Sequence, residues 1–205
     1  MSAEGARVVV LAGPSGSGKS RLAHRLGWPT LRLDDFYREG DADDLPYLDA
    51  DLVDWDDPRS WDADAACATL ERLCVDGRVD VPVYDIATNA RVGHRELSLD
   101  GARVVVAEGI FAPYVVAGCR ERGLLTAALC IRHQRFLTFA LRLVRDLRER
   151  RKPPHVLIRR GLALLRAEPM TVRTALEMGC ESMTPRRAER HLRRLVPTAS
   201  VTKTE

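Results

Sequence analysis

GPSGSGKS, residues 13–20, follows the apolar run Val8-Val9-Val10-Leu11. A short β-branched run bounded by glycine reads as a buried strand. The eight residues after it match Gly-x-x-x-x-Gly-Lys-Ser, the Walker A pattern, and residues 18–26 continue as a helix. The glycines let the backbone curl until successive N–H groups face inward, and Gly13, Ser15, Gly16, Ser17 and Gly18 supply those groups here. The helix turns its positive N-terminal end toward the same spot. Lys19 is spaced to reach β- and γ-phosphates, and Ser20 to ligate Mg²⁺. The stretch therefore predicts a loop that holds a nucleoside triphosphate.

Outward from this loop, apolar strands alternate with helical segments. TLRL (30–33) ends at Asp34-Asp35, RVVVA (103–107) ends at Glu108-Gly109, and AALCI (127–131) is a third short buried run. Strand 30–33 is expected beside the Walker strand. Residues 62–76 predict a helix with Ala65, Cys67/Ala68, Thr69 and Leu73 on its apolar face, closed by Gly77. Residues 112–121, 135–150, 156–167 and 185–195 also read as helical. Residues 79–101 read as a β excursion punctuated by Pro82 and Gly93. The pattern predicts an α/β fold of three layers, α/β/α, around a mainly parallel central sheet. Residues 170–195 read as helices, so no further apolar strand is expected to close the sheet. In such sheets ligands collect at the carboxyl ends of the strands, where the glycine loop, Asp34-Asp35 and Glu108 all fall.

The chain has 205 residues, which suits one domain over residues 1–205. No run approaches the roughly 18 apolar residues of a membrane span. MSAEGARVVV lacks the basic start and long apolar segment of an export signal. Five scattered cysteines with no C-x-x-C pair read as reduced thiols, and a cytoplasmic location is expected. Cys67 and Cys74 are expected in the core. Net charge is only +3, but Asp34–Asp64 is heavily acidic and Arg132–Arg160 heavily basic. The basic stretch admits three readings: a solvated helix face, a nucleic-acid contact, or a cationic clamp over phosphates.

Several functions use a Walker loop. A guanine-selective GTPase carries N-K-x-D, which is absent. A motor or signalling ATPase needs an acid at the end of an apolar strand, which RVVVAEG supplies. A small-molecule kinase also needs a carboxylate near the γ-phosphate, an acceptor pocket and mobile arginines. Asp34 or Asp35 provides the carboxylate as a general base. Arg142, Arg145, Arg148, Arg150, Arg151 and Lys152 crowd one helix end and suit a lid. A nucleotide-binding regulator whose basic helix touches nucleic acid is the alternative of another class. Scarce aromatics and the lack of a helix-turn-helix pattern count against it.

Six motifs resemble the uridine kinase branch of the phosphoribulokinase/uridine kinase family of P-loop kinases. They are GPSGSGKS, LDDFY (33–37), DWDDP (54–58), VPVYD (81–85), EGIF (108–111) and LRLVRDLRER (141–150). Their order and spacing match over residues 7–152. The resemblance implies ATP and Mg²⁺ as cofactors and the 5′-hydroxyl of uridine or cytidine as acceptor. It implies no nucleic-acid or membrane partner, and homo-oligomers. It implies Asp34 as catalytic base, Tyr37 in the acceptor pocket, Asp56 on the ribose hydroxyls and Tyr84 against the base. Glu108 falls near Mg²⁺, Arg142 and Arg145 in the sugar and phosphate site, and Arg150 and Lys152 in a lid over about 142–160. A helical C-terminal part is expected over about 156–197.

The chain also departs from the family pattern. Asn89 stands where a histidine reads the pyrimidine edge, and Asn donates and accepts as that edge requires. Ile86 replaces an aromatic, and RHQRF follows the strand AALCI where acids are usual. His94 is nearby but out of register and reads as a surface histidine. The same kinase chemistry on a sugar phosphate, a pantothenate-like acid or another nucleoside is therefore the alternative acceptor reading.

Overall fold

The computed structural model describes residues 5–49, 52–132 and 169–196. Strand β1 (Arg7–Ala12) leads into the glycine loop and helix α1 (Lys19–Leu26). Strand β2 (Thr30–Arg32) runs into a 3₁₀ turn, Leu33–Phe36. Two short strands, β3 (Tyr47–Asp49) and β4 (Leu52–Val53), precede helix α2 (Ala63–Asp76). A hairpin of β5 (Arg78–Asp85) and β6 (Ala90–Ser98) comes next, then β7 (Val104–Glu108). A 3₁₀ turn, Ala112–Val115, enters α3 (Val116–Glu121), and β8 (Leu125–Ile131) follows. The C-terminal part adds a helix over residues 169–177 (α4), β9 (Glu181–Met183) and α5 (Pro185–Leu195).

The central sheet has the order β2-β7-β1-β8-β9, and every pairing in it is parallel. Side chains of a strand alternate between faces, and the core divides accordingly. Val8, Val10 and Ala12 of β1, with Val105 and Ala107 of β7, face α2, α3, α4 and the hairpin. Val9, Leu11, Val104 and Val106 face α1 and α5 through Leu22, Leu26, Ala188 and Leu192. The α/β/α expectation is met, and no helix among the described residues is long and apolar enough to cross a membrane.

Local chemistry sets the helix ends. Gly18 and Gly27 both hold left-handed φ, at 91° and 69°, on either side of α1. The Asp62 carboxylate accepts from the Ala65 N–H and caps α2, and Gly77 ends it in the left-handed region. None of the five cysteines is in a disulfide. Burial pushes the Cys119 and Cys180 thiols up to about 12, so both stay protonated.

Three expectations need correction. Strand β2 does not adjoin β1, because β7 lies between them. The C-terminal part does contribute a strand: β9 pairs with β8 at Leu129–Glu181 and Ile131–Met183. Its sequence, Glu-Ser-Met, has no apolar run because it is a three-residue edge strand. Helix α2 is rotated from the expected phase and buries Ala66, Thr69, Leu70, Leu73 and Cys74, leaving Ala68 exposed and Cys67 half-buried. The expected helices 135–150 and 156–167 and the lid lie outside the described residues.

One buried contact ties the acidic segment to the sheet. The Trp61 indole N–H donates to the Leu33 carbonyl at 2.6 Å, and the ring is 3% exposed against Phe111. Replacing Trp61 by Phe keeps an aromatic ring but removes this donor. The expected cost is about 1–3 kcal/mol, measured by urea unfolding; a change within experimental error would contradict the assigned role.

Candidate active site

Three neighbouring strands end side by side. In the sheet register Glu108 of β7 stands opposite Leu11 of β1 on one side and Arg32 of β2 on the other. Their exits therefore deliver the glycine loop, the Gly109-Ile110-Phe111 segment and the Asp34-Asp35 turn to one edge.

The loop has the backbone its sequence demands. Gly13, Gly16 and Gly18 hold φ of 129°, 83° and 91°. A Cβ on Gly13 would lie 2.3 Å from the Ile131 carbonyl oxygen, so only glycine fits beside β8. Lys19 Nζ donates to the Gly13 and Pro14 carbonyls at 2.6 and 3.1 Å and so lies across the loop. Ser15 is exposed, whereas the Ser17 hydroxyl is buried with no hydrogen-bond partner. A curled glycine backbone at a helix start with a lysine over it, and this orphaned hydroxyl, together fit a bound phosphate chain.

The Ser20 hydroxyl donates to Glu108 Oε2 at 3.0 Å. The structure thus brings together the two side chains expected near a cation, from α1 and the end of β7. Two hard oxygen donors suit Mg²⁺, which takes one or two protein ligands and completes its shell with phosphate oxygens and water. No group of three or more His, Cys, Asp or Glu side chains suited to a metal occurs among the described residues.

The 3₁₀ turn sends the adjacent acids in different directions. Asp34 Oδ1 accepts from the Ile110 N–H at 3.2 Å and lies over Gly109. A Cβ on Gly109 would come within 2.8 Å of that oxygen, which explains glycine in EGIF. Asp35 points toward the hairpin and is 3% exposed. Burial pushes its carboxyl up from the ordinary 3.8, against Arg32, the Tyr84 backbone N–H and Arg95, which favour the charged form. The half-buried carboxylate beside the β7 exit is Asp34.

An aromatic group lines the side next to Asp34. The Tyr37 ring centroid lies 5.7 Å from Trp55, 5.6 Å from Tyr84 and 5.7 Å from Phe111. The Tyr37 hydroxyl donates to the Trp55 carbonyl, and Tyr84 donates to the Arg38 carbonyl. Burial, then the nearby Asp34 and Asp56 carboxylates, push the Tyr37 phenol up, so it stays neutral. Asp56 is exposed. Asn89 occupies the β5–β6 turn with φ of 50°, a left-handed conformation that Asn tolerates better than most residues. Its carbonyl accepts from the Gly40 N–H at 2.8 Å. Ile86 and His94 are exposed. Arg142, Arg145, Arg150 and Lys152 lie outside the described residues.

Motif spacing missed the packing roles of Trp61 and Phe111 and the direction of Asp35. The available signal was the aromatic content of DWDDPRSW and EGIF, which marks rings to be buried but not their partners.

Comparison with known proteins bears on this geometry. The family model described as the phosphoribulokinase/uridine kinase family matches residues 8–155. A uridine kinase from Chloroflexus aggregans is 31% identical over 166 residues, covering 78% of this chain and 77% of that protein. The inorganic pyrophosphatase TTM2 of Arabidopsis thaliana is 34% identical over 113 residues, covering 53% of this chain. The chain spans only 16% of that relative's length. In fold it is similar to a crystal structure of a candidate fructose transport system kinase from Silicibacter sp. TM1040. The TM-score is 0.60 at 21% identity, covering 82% of this chain and 87% of that one.

Because Asp35 carries a raised native value, the folded state holds its proton more tightly than the unfolded chain. The stability this provides is complete below the ordinary 3.8 and is lost as pH rises through the raised native value. The unfolding free energy of the wild type relative to Asp35→Asn should fall as pH rises above the ordinary 3.8. A difference that stays flat or grows would contradict the burial assigned to Asp35.

Proposed function

The chain belongs to the phosphoribulokinase/uridine kinase family of P-loop kinases, and on that premise we propose that it phosphorylates the 5′-hydroxyl of a pyrimidine nucleoside, uridine or cytidine, with ATP as donor. One observation carries this reading: Asp34 lies against the β7 exit, one strand from the phosphate loop, with Tyr37 beside it and Asp56 near Tyr37.

In the proposed reaction the glycine loop and Lys19 hold the triphosphate, and Lys19 exchanges its loop carbonyls for phosphate oxygens. Asp34 orients the acceptor hydroxyl and takes its proton as the oxygen attacks the γ-phosphorus. The new O–P bond forms as the bond from the γ-phosphorus to the β,γ-bridging oxygen breaks, and ADP leaves. Ser20 and Glu108 are the residues that would hold Mg²⁺, which supplies charge neutralisation on the phosphate oxygens when bound. Asp56 accepts from the two ribose hydroxyls, a pairing that suits donors on adjacent carbons. Tyr37 and Tyr84 pack against the acceptor. Arg142, Arg145, Arg150 and Lys152 act in this reading as the lid that neutralises the transferring group and excludes water. The proposal treats the chain as one catalytic domain acting in the cytoplasm.

A second acceptor reading, the same chemistry on another hydroxylated metabolite, draws on the hairpin turn. Asn89 has a backbone reason to be there, and Ile86 is 67% exposed.

An acceptor panel separates these readings. Uridine, cytidine, other nucleosides, pantothenate and ribulose 5-phosphate are each mixed with Mg-ATP, with ADP release read against a blank and product identified by mass. Release with uridine or cytidine, giving the 5′-monophosphate, is expected. Silence with both, alongside turnover of another acceptor, would contradict the pyrimidine assignment. Asp56→Ala should raise the acceptor KM about tenfold or more with a smaller effect on the ATP KM; equal effects on both would refute its ribose role.

A further inference from the structure

Of the two adjacent acids, the proposed chemistry uses Asp34 and leaves the more deeply buried Asp35 without a task. Burying a carboxylate is expensive, and a buried ion pair seldom repays the desolvation in stability. Its contacts indicate another use. Oδ1 of Asp35 lies 4.0 Å from Arg32 Nη2, and Oδ2 lies 3.9 Å from Arg95 Nη2. Arg32 ends the strand that leads to Asp34, whereas Tyr84 and Arg95 belong to the β5–β6 hairpin.

The hairpin forms a two-stranded sheet of its own. Among the described residues no ladder to the central sheet sets its distance from Asp34, and other contacts do so. Apolar packing of Val81 and Leu97 into the core seats it, but such packing is not directional. The directional bonds run to one short segment. Arg95 faces the Asp35 carboxylate, the Tyr84 hydroxyl donates to the Arg38 carbonyl, and the Gly40 N–H donates to the Asn89 carbonyl. Among these, Asp35 is the group directly bonded in sequence to Asp34, and it offers one oxygen to each side of the gap.

We propose that Asp35 is a positioning residue. Its carboxylate, between Arg32 and Arg95, pins the hairpin to the turn that carries Asp34. It thereby sets the spacing between the Tyr84 wall and the base. The proposal rests on the acceptor-site reading given above. Its leverage is geometric, since a shift of about 1 Å in a reacting group can cost up to about 100-fold in rate. The phosphate loop, on β1 and α1, takes no part in this set of contacts.

Asp35→Asn keeps the size and one acceptor oxygen but removes the charge. Arg95→Gln removes the half-exposed hairpin partner and serves as a second variant should the first fold poorly. In the ligand-free protein, amide hydrogen exchange should quicken in peptides covering 33–40 and 78–98 while residues 7–26 stay unchanged. With the acceptor found to be turned over, the acceptor KM should rise about tenfold or more while the ATP KM stays within about twofold. The double variant should add little to Asp35→Asn alone, as expected for two groups of one contact. A general loss of protection across the sheet, with kcat falling alone and in step with the folded fraction, would overturn the proposal. So would unchanged exchange in the hairpin. If the wild type turns over no acceptor, the acceptor reading fails, and the exchange pattern by itself supports or overturns the pin.

Discussion

The parallel pairing of β7 with both β1 and β2 places Leu11, Glu108 and Arg32 in one row across the sheet. The rest of the site depends on that row. One residue beyond Leu11 the chain reaches Ala12, and then the loop that begins at Gly13. Beyond Glu108 it reaches Gly109, whose missing side chain admits the Asp34 carboxylate. Beyond Arg32 it turns through a 3₁₀ segment that points Asp34 at the Ile110 N–H. Neither exit could shift without the other, because both strands share β7 and their interior residues are fully buried.

Around this row the structure divides its polar groups by task. Ser20 and Glu108 meet beside the glycine loop at 3.0 Å. The aromatic rings of Tyr37, Trp55, Tyr84 and Phe111 gather on the other side of Asp34. Trp61 ties Leu33 and Phe111 together through a buried N–H and ring, and in the proposal above Asp35 links the same turn to the hairpin. Buried polar contacts of this kind contribute little net stability but define one arrangement among many apolar packings.

Much of this was legible in the sequence where the signal is local. The Walker loop is contiguous, its glycines have one backbone reason to exist, and the strand and helix around it follow. Glu108 and Asp34 were legible because they sit at the ends of apolar runs. What was not legible depends on tertiary order. No periodicity in TLRL says that β7 separates it from β1. Glu181-Ser182-Met183 forms an edge strand through pairing with β8 alone, without an apolar run to announce it. Asp34 and Asp35 are identical in type, and only the 3₁₀ geometry sends one to the β7 exit and the other to the hairpin. Asn89 also holds a φ of 50° in the β5–β6 turn, a backbone role that spacing does not reveal.

The central claim is that the phosphate loop and Asp34 act on opposite ends of one transfer. Asp34→Asn tests it most directly when Mg-ATP binding and acceptor-stimulated ADP formation are measured on the same preparation. The account predicts ATP affinity within about threefold of wild type and ADP formation reduced about 100-fold or more, the usual contribution of a general base. Full turnover by that variant would contradict the account.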